Sequence, residues 1–326
     1  MKRRHFNQAA LAALASGFGL KSVQAQSNYP GKLITLVVAY SSGGSTDQRA
    51  RQIGRFFSDT LGQPVVIDNR PGAAGNIGTE FMARAKPDGY TIGMGNLAPL
   101  AVNPWLFKKM GFDPAKDLTK IALIERGPLI LVVPLGSPFK SVADVVTASK
   151  VKQGGLSYGS SGAGSAHHLC GEMFKAGSGG NMTHIPYRSG AAAMTDLFGG
   201  HLDFMFEPMY SALPSTQAGK LRALAITSVS RSPLVSEIIT MEEAGFPGFH
   251  MENWQGLIGP ADMPEAIVRL LNATVNKALA DPAIKAQMLA QGNEIGGGTP
   301  EQFAALVKTE SERWGKIVRA NGIVQE

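Results

Sequence analysis

Ser165 and His168 lie three residues apart at the start of a helix-like stretch, next to His167 and the only cysteine, Cys170. A hydroxyl one helical turn from an imidazole is the pairing a nucleophilic hydrolase uses. The surrounding pattern does not support it. No third orienting partner is recognisable, and the segment from Gly159 misses the Gly-x-Ser-x-Gly elbow because position 163 is Ala. Other catalytic patterns fail as well. Gly31-Lys32, Gly219-Lys220 and Gly315-Lys316 are not followed by Ser or Thr, so there is no phosphate-binding loop of the Gly-Lys-Ser/Thr kind. Gly162-Ala163-Gly164 lacks the third glycine of a dinucleotide fingerprint at position 167. Cys170 with His167 or His168 has no zinc spacing, and a helical pattern with Leu169, Met173 and Phe174 makes Cys170 a core residue.

Two Gly/Ser loops remain. In "VVAYSSGGSTDQRARQIGRFF" an apolar strand stops at Tyr40, passes through Ser41, Ser42, Gly43 and Gly44, and restarts as a helix for which Thr46 and Asp47 are candidate N-caps. "LSYGSSGAGSAHHLCGEMFK" repeats this pattern, with a short strand Leu156–Tyr158, a loop through Ser161, Ala163 and Gly164, and a helix from Ser165 to Lys175. A helix start carries free N–H groups and a partial positive charge, so each loop suits an anion or merely joins two elements. A pair of such loops, one in each of two domains, is expected to face a shared cleft at the carboxyl ends of the strands.

The elements that position these loops alternate between strand and helix. Leu33–Ala39, Pro64–Asp68 and Tyr90–Met94 are expected strands, with Asn76 capping a helix that runs to about Ala85. This βαβαβ order predicts parallel strands covered by helices. Leu129–Val133 opens a second section, and Ser141 to Lys150 is a helix with a Ser-x-x-Asp capping box. Pro264, Pro282 and Thr299-Pro300-Glu301-Gln302 mark three helix starts near the C-terminus. Trp254 is expected to pack, and Arg70 to brace its turn.

The chain opens with the basic stretch Met1–His5, an apolar run Phe6–Leu20, and Val23-Gln24-Ala25 as a cleavage site before Gln26. This is the layout of an export signal over residues 1–25, by the general route or the twin-arginine one. Its removal takes four of the 31 Lys and Arg residues, leaving 27 against 25 Asp and Glu, so the net charge falls from +6 to +2. No Lys/Arg run interleaved with aromatics remains, which argues against nucleic acid as a partner. A length of 326 residues exceeds what one core usually serves, so two domains are expected. One cysteine leaves an exported chain without an internal disulfide.

The segments "YPGKLITLVVAYSSGGSTD", "LGQPVVIDNRPGAAGNIG", "KPDGYTIGMGN", "YGSSGAGSAHHL", "HIPYRSGAAAMTDLFGGHLDFMF", "AGKLRALAIT" and "NWQGLIGPADMP" follow in this order. Together they resemble the periplasmic solute-binding receptors of tripartite tricarboxylate transporters, the Bug family. The resemblance implies an α/β type II periplasmic binding protein of the Venus-flytrap kind, with two domains of mixed sheets flanked by helices. Domain I would comprise residues 26–127 and 248–326, and domain II residues 128–247, inserted into it. It implies a monomeric periplasmic receptor, not an enzyme, for a small organic acid: a di- or tricarboxylate or an aromatic carboxylate. Delivery would be to the membrane subunits of the transporter or, alternatively, to a sensor kinase. Binding through backbone N–H groups needs no cofactor and no metal.

Carried onto this chain, the resemblance places one carboxylate at Ser165, with His168 supporting its loop, alongside Ser161, Ala163 and Gly164. Tyr40, Ser41, Ser42, Gly43, Gly44 and Asp47 would serve the other end, Asp47 first as a cap. Asn96 and the loop Tyr187–Ala191, with Arg188 and Gly190, would complete the wall. A planar guanidinium at Arg188 suits a carboxylate, or equally a structural pair. Two positions depart from the family pattern. Ser41-Ser42 stands where Pro-Pro is common, and Glu207 where Asp is common. The longer Glu207 would narrow the cleft or select a donor group on the ligand.

Overall fold

The computed structural model describes residues 29–320, so the export signal read from residues 1–25 lies outside the described residues. The apolar run Ile34–Val38 forms β1, buried on both faces except at Thr35, as a strand between helical layers must be. Its parallel neighbours are β2 (Val65–Asn69) and β3 (Thr91–Asn96). Helix α1 (Ser45–Leu61) follows β1 and starts earlier than its cap candidates suggest, with Gly44 as N-cap. Gly43 takes φ 80°, where a side chain would be strained. The Asp47 carboxylate reaches back to accept from the Gly43 N–H at 2.9 Å. Helix α2 (Asn76–Ala83) is likewise capped by Gly75, not Asn76, whose side chain instead accepts from Asn103 Nδ2 at 2.7 Å.

The long strand β4 (Leu118–Pro134) begins well before the expected Leu129. Lys120, Glu125 and Arg126 break its apolar pattern, but Glu125 is buried against Arg49 at 2.7 Å. Over Leu118–Pro128 it pairs antiparallel with β9 (Glu252–Pro260). From Leu129 it pairs instead with β7 (Phe204–Pro208) and β8 (Leu221–Ile226). On that side β5 (Leu156–Ser160) lies parallel between β7 and β6 (Met182–Pro186). On the other, β10 (Glu294–Gly297) also pairs with β4. The path β2-β1-β3-β9-β4-β7-β5-β6 is therefore two mixed half-sheets sharing one strand.

Each half carries its own helices and forms a lobe. Besides α1, α2 and the short α3 (Asn103–Leu106), the first has α8 (Glu265–Ala280), α9 (Pro282–Ala290) and α10 (Pro300–Ala320). The second has α4 (Val142–Val151), α5 (Ala166–Ser178), α6 (Gly190–Phe198) and α7 (Met209–Gln217). Local signals for several of them are realised. Ser141 and Asp144 form the capping box of α4, and Thr299 and Gln302 exchange the corresponding bonds ahead of α10. Cys170 is fully buried, and Trp254 packs edge-on against Phe303 at 5.8 Å.

One side chain ties the two places where the chain passes between lobes. Thr227, fully buried, accepts from the Leu129 N–H at 2.8 Å and donates to the Met251 carbonyl at 2.6 Å. Leu129 begins the second-lobe pairing of β4, and Met251 directly precedes β9. Thr227→Val keeps the shape and strands both backbone groups, which is expected to cost about 2 kcal/mol. A lower urea midpoint with an unchanged slope would show this; an unchanged midpoint would contradict it.

Candidate functional site

A cavity of about 380 Å³ opens between the lobes, lined from the first by Tyr40, Ser41, Gly43, Gly44 and Asn96, and from the second by Ser161, Ser165, Gly190 and Glu207. These nine were expected from the sequence. The remaining expected residues stand behind or beside the cavity. Ser42 is exposed and Ala163 half-exposed, neither on its wall. Asp47 is buried and holds the first loop, accepting from Arg51 Nε at 2.9 Å and Asn69 Nδ2 at 3.0 Å besides Gly43. Gly164, at φ 80°, touches the first lobe so closely that a Cβ would stand 2.5 Å from Asn103 Oδ1. Arg188 is exposed and lines an adjoining cavity of about 510 Å³, which shares Tyr40, Ser41 and Ser161 with the first.

Three helices start at the cavity wall with donors to spare. Ser45 and Thr46 open α1, Ala166 and His167 open α5, and Gly190 and Ala191 open α6; all six residues line the cavity. The N–H groups of these six residues have no intrahelical acceptor, and none finds another among the described residues. Helix α7 also begins there, with Tyr210 and Ser211 on the wall. No Lys or Arg lines the cavity, and Glu207 is its one acidic side chain. The positive potential at the wall therefore comes from helix ends.

The side chains at the second loop are committed to holding it. The Ser165 hydroxyl donates to the Gly162 carbonyl at 2.6 Å and caps α5 through the His168 N–H. His168 Nδ1 accepts from the Gly164 N–H at 3.0 Å, and its ring stacks on His184 with centroids 4.1 Å apart. Ser165 and His168 thus form no nucleophile–base pair. Burial lowers the His168 pKa to about 4 and that of His184 to about 3, His184 being lowered further by its histidine neighbour. Both rings are neutral at pH 7.

His167, Tyr210 and Thr46 were not expected as wall residues. His167 Nε2 lies 3.1 Å from Glu207 Oε2, and its Nδ1 lies 3.0 Å from Ser161 Oγ. Tyr210 reaches across to a hydrogen bond with Ser45, and burial raises its phenol above the ordinary value, so it stays neutral. Thr46 Oγ1 is 3.3 Å from Asn96 Nδ2, whose Oδ1 is buried without a donor. The family pattern that located Glu207 says nothing of Tyr210, three residues on. Pro214 obscured the helix that carries it.

Comparison with known proteins decides the class. Residues 49–323 match the family described as "Tripartite tricarboxylate transporter family receptor". The chain belongs to this family. Protein BugT of Bordetella pertussis is 34% identical over 305 residues, covering 93% of this receptor and 94% of BugT. Among solved structures, R. palustris Rpa4515 with adipate is 36% identical with a TM-score of 0.88, covering 91% of this receptor and 99% of that chain. MatC (Rpa3494) from Rhodopseudomonas palustris with bound malate is 31% identical with a TM-score of 0.85, covering 89% and 100%. Family and neighbours are solute-binding receptors, so the receptor is not an enzyme, and its two-lobed α/β fold is that of periplasmic binding proteins.

The buried histidines give the receptor a pH signature. Their folded pKa values lie below the unfolded value of about 6.5. The unfolded chain therefore takes up protons first as pH falls, and stability drops between about pH 6.5 and 4. The slope is bounded by about 1.4 kcal/mol per pH unit for each ring. His168→Asn is expected to flatten this limb in urea midpoints measured from pH 7 to 4.5; an equally steep limb would contradict the assignment.

Proposed function

We propose that the chain is an exported, periplasmic receptor that captures a small organic acid between its lobes and hands it to the membrane subunits of a tripartite tricarboxylate transporter. The lobes would be residues 26–127 with 248–326, and residues 128–247, closing about the crossings near Thr227. One observation carries the reading: three helix starts with unused N–H groups meet at a cavity that has no cationic side chain. Such donors bind a carboxylate without a metal or cofactor. The adipate and malate in two similar structures support the same ligand chemistry. A ligand held by both lobes favours the closed state by the contacts it makes only there.

A thermal-shift screen of protein beginning at Gln26, unfolded and refolded to strip carried-over ligand, tests the carboxylate. Small acids are compared with their neutral amides. An acid at a hundred times its Kd adds about 2.7 kcal/mol of apparent stability, an upward shift of several degrees, and its amide adds none. Equal shifts with acid and amide, or none with any acid, would contradict the reading.

A further inference from the structure

The ligand cavity makes no use of Arg188. Its side chain is exposed, does not line that cavity, and takes part in no ion pair or hydrogen bond among the described residues. Two arginines beside the first-lobe loops are neutralised: Arg51 pairs with Asp47 at 2.9 Å, and Arg70 with Asp68 at 2.7 Å. No carboxylate pairs with Arg188 in this way. Its place in the loop is nonetheless fixed on both sides. Tyr187 donates its N–H to the Ser160 carbonyl at 3.0 Å and its hydroxyl to Asp196 at 2.6 Å, and Ser189 caps α6 through the Ala192 N–H at 3.2 Å. The free guanidinium is thereby held at the cavity of about 510 Å³ that shares Tyr40, Ser41 and Ser161 with the ligand cavity. Across it lies the uncharged first-lobe turn Pro71–Gly75, and Arg188 is the one charged side chain on its wall among the described residues.

The helix starts that hold a carboxylate act over about one turn, so they do not draw in an acid still in solvent. A full charge does: it acts over the screening length, about 8 Å at physiological ionic strength. We propose that Arg188 makes the adjoining cavity an electrostatic vestibule, where its charge attracts an approaching dianionic acid through water and passes it to the helix starts without keeping a contact. This rests on the carboxylate-receptor reading and concerns the acid's entry, not its bound contacts. A rim charge of this kind acts on the association rate and its salt dependence. One charge and a dianion about 10 Å apart in water attract strongly enough to speed association about fourfold.

Association and dissociation rates of refolded protein test this with succinate, malate, glutarate and adipate, the tightest-bound of the four serving as probe. They are read by stopped-flow tryptophan fluorescence or, where that signal is silent, from the time course of calorimetric injections. At about 10 mM salt, Arg188→Gln is expected to slow association about fourfold and Arg188→Glu about sixteenfold, with dissociation changed less than about twofold. Arg188→Lys keeps the wild-type rate, because a point charge suffices. At about 0.5 M salt, where screening acts within a few ångströms, all four proteins converge. Lys220 is the control: it is exposed on the same lobe without an ion pair among the described residues, lies over the Phe198 ring at 5.7 Å, and lines neither cavity. Lys220→Gln removes the same charge and is expected to leave association unchanged. Faster dissociation in Arg188→Gln that persists in high salt, or in Arg188→Lys, would make the guanidinium a ligand contact and overturn the vestibule. So would an effect of Lys220→Gln as large as that of Arg188→Gln, or a wild-type association rate indifferent to salt; the last needs no variant to fold. Each of these leaves the receptor reading intact, whereas failure of all four acids to bind would overturn both.

Discussion

A helix inside a protein leaves its first N–H groups without partners, and they must be satisfied by something. In this receptor the constraint is met collectively. Three helices, from three loops in two lobes, bring their unused donors to one cavity. Each half of the chain contributes what the other lacks, so the site exists only while the lobes face each other. Because the donors belong to backbone, their geometry is set by strand ends and loop turns rather than by flexible cationic side chains. Preorganisation of this kind limits the entropy lost on binding.

Rigidity at the donors depends on polar groups behind them. Under the first loop, Asp47 gathers Gly43, Arg51 and Asn69. Deeper, Arg49 on α1 pairs with Glu125 on β4 at 2.7 Å, and Glu125 also accepts from Gln255 and from Asn293 at 2.7 Å. Gln255 in turn lies 3.4 Å from Asn96 on the cavity wall. This chain links α1 to β3, β4 and β9, so the helix start is fixed to the sheet it serves. Breaking a buried ion pair of this kind is far more damaging than losing an exposed one. In the second lobe Ser165, His168 and His184 play the corresponding part.

Much of this was legible in the sequence because it is local. Gly43 and Gly44 between an apolar strand and an amphipathic helix, and Ser141 with Asp144, act over a few residues, where spacing and geometry are nearly the same thing. Nine of the residues read as site residues do line the cavity. What escaped depends on contacts across the fold. The front half of β4 was hidden because an unpaired Glu125 argues against a buried strand, and its partner Arg49 is distant in sequence. His168, read as the support of its loop, accepts from the Gly164 N–H, and what escaped was His167, which lines the cavity one helical position away, about 100° around the axis. Arg188 has the right chemistry for a carboxylate, but its loop places it at the neighbouring cavity.

The central claim is that backbone donors at helix starts, not cationic side chains, hold the ligand's charge. Amide NMR of isotope-labelled protein titrated with an acid that raises its melting temperature tests it most directly. The account predicts downfield amide-proton shifts at Ser45, Thr46, Ala166, His167, Gly190 and Ala191, with the Arg188 guanidinium unaffected. Shifts centred on Arg188, with the helix-start amides unmoved, would contradict it.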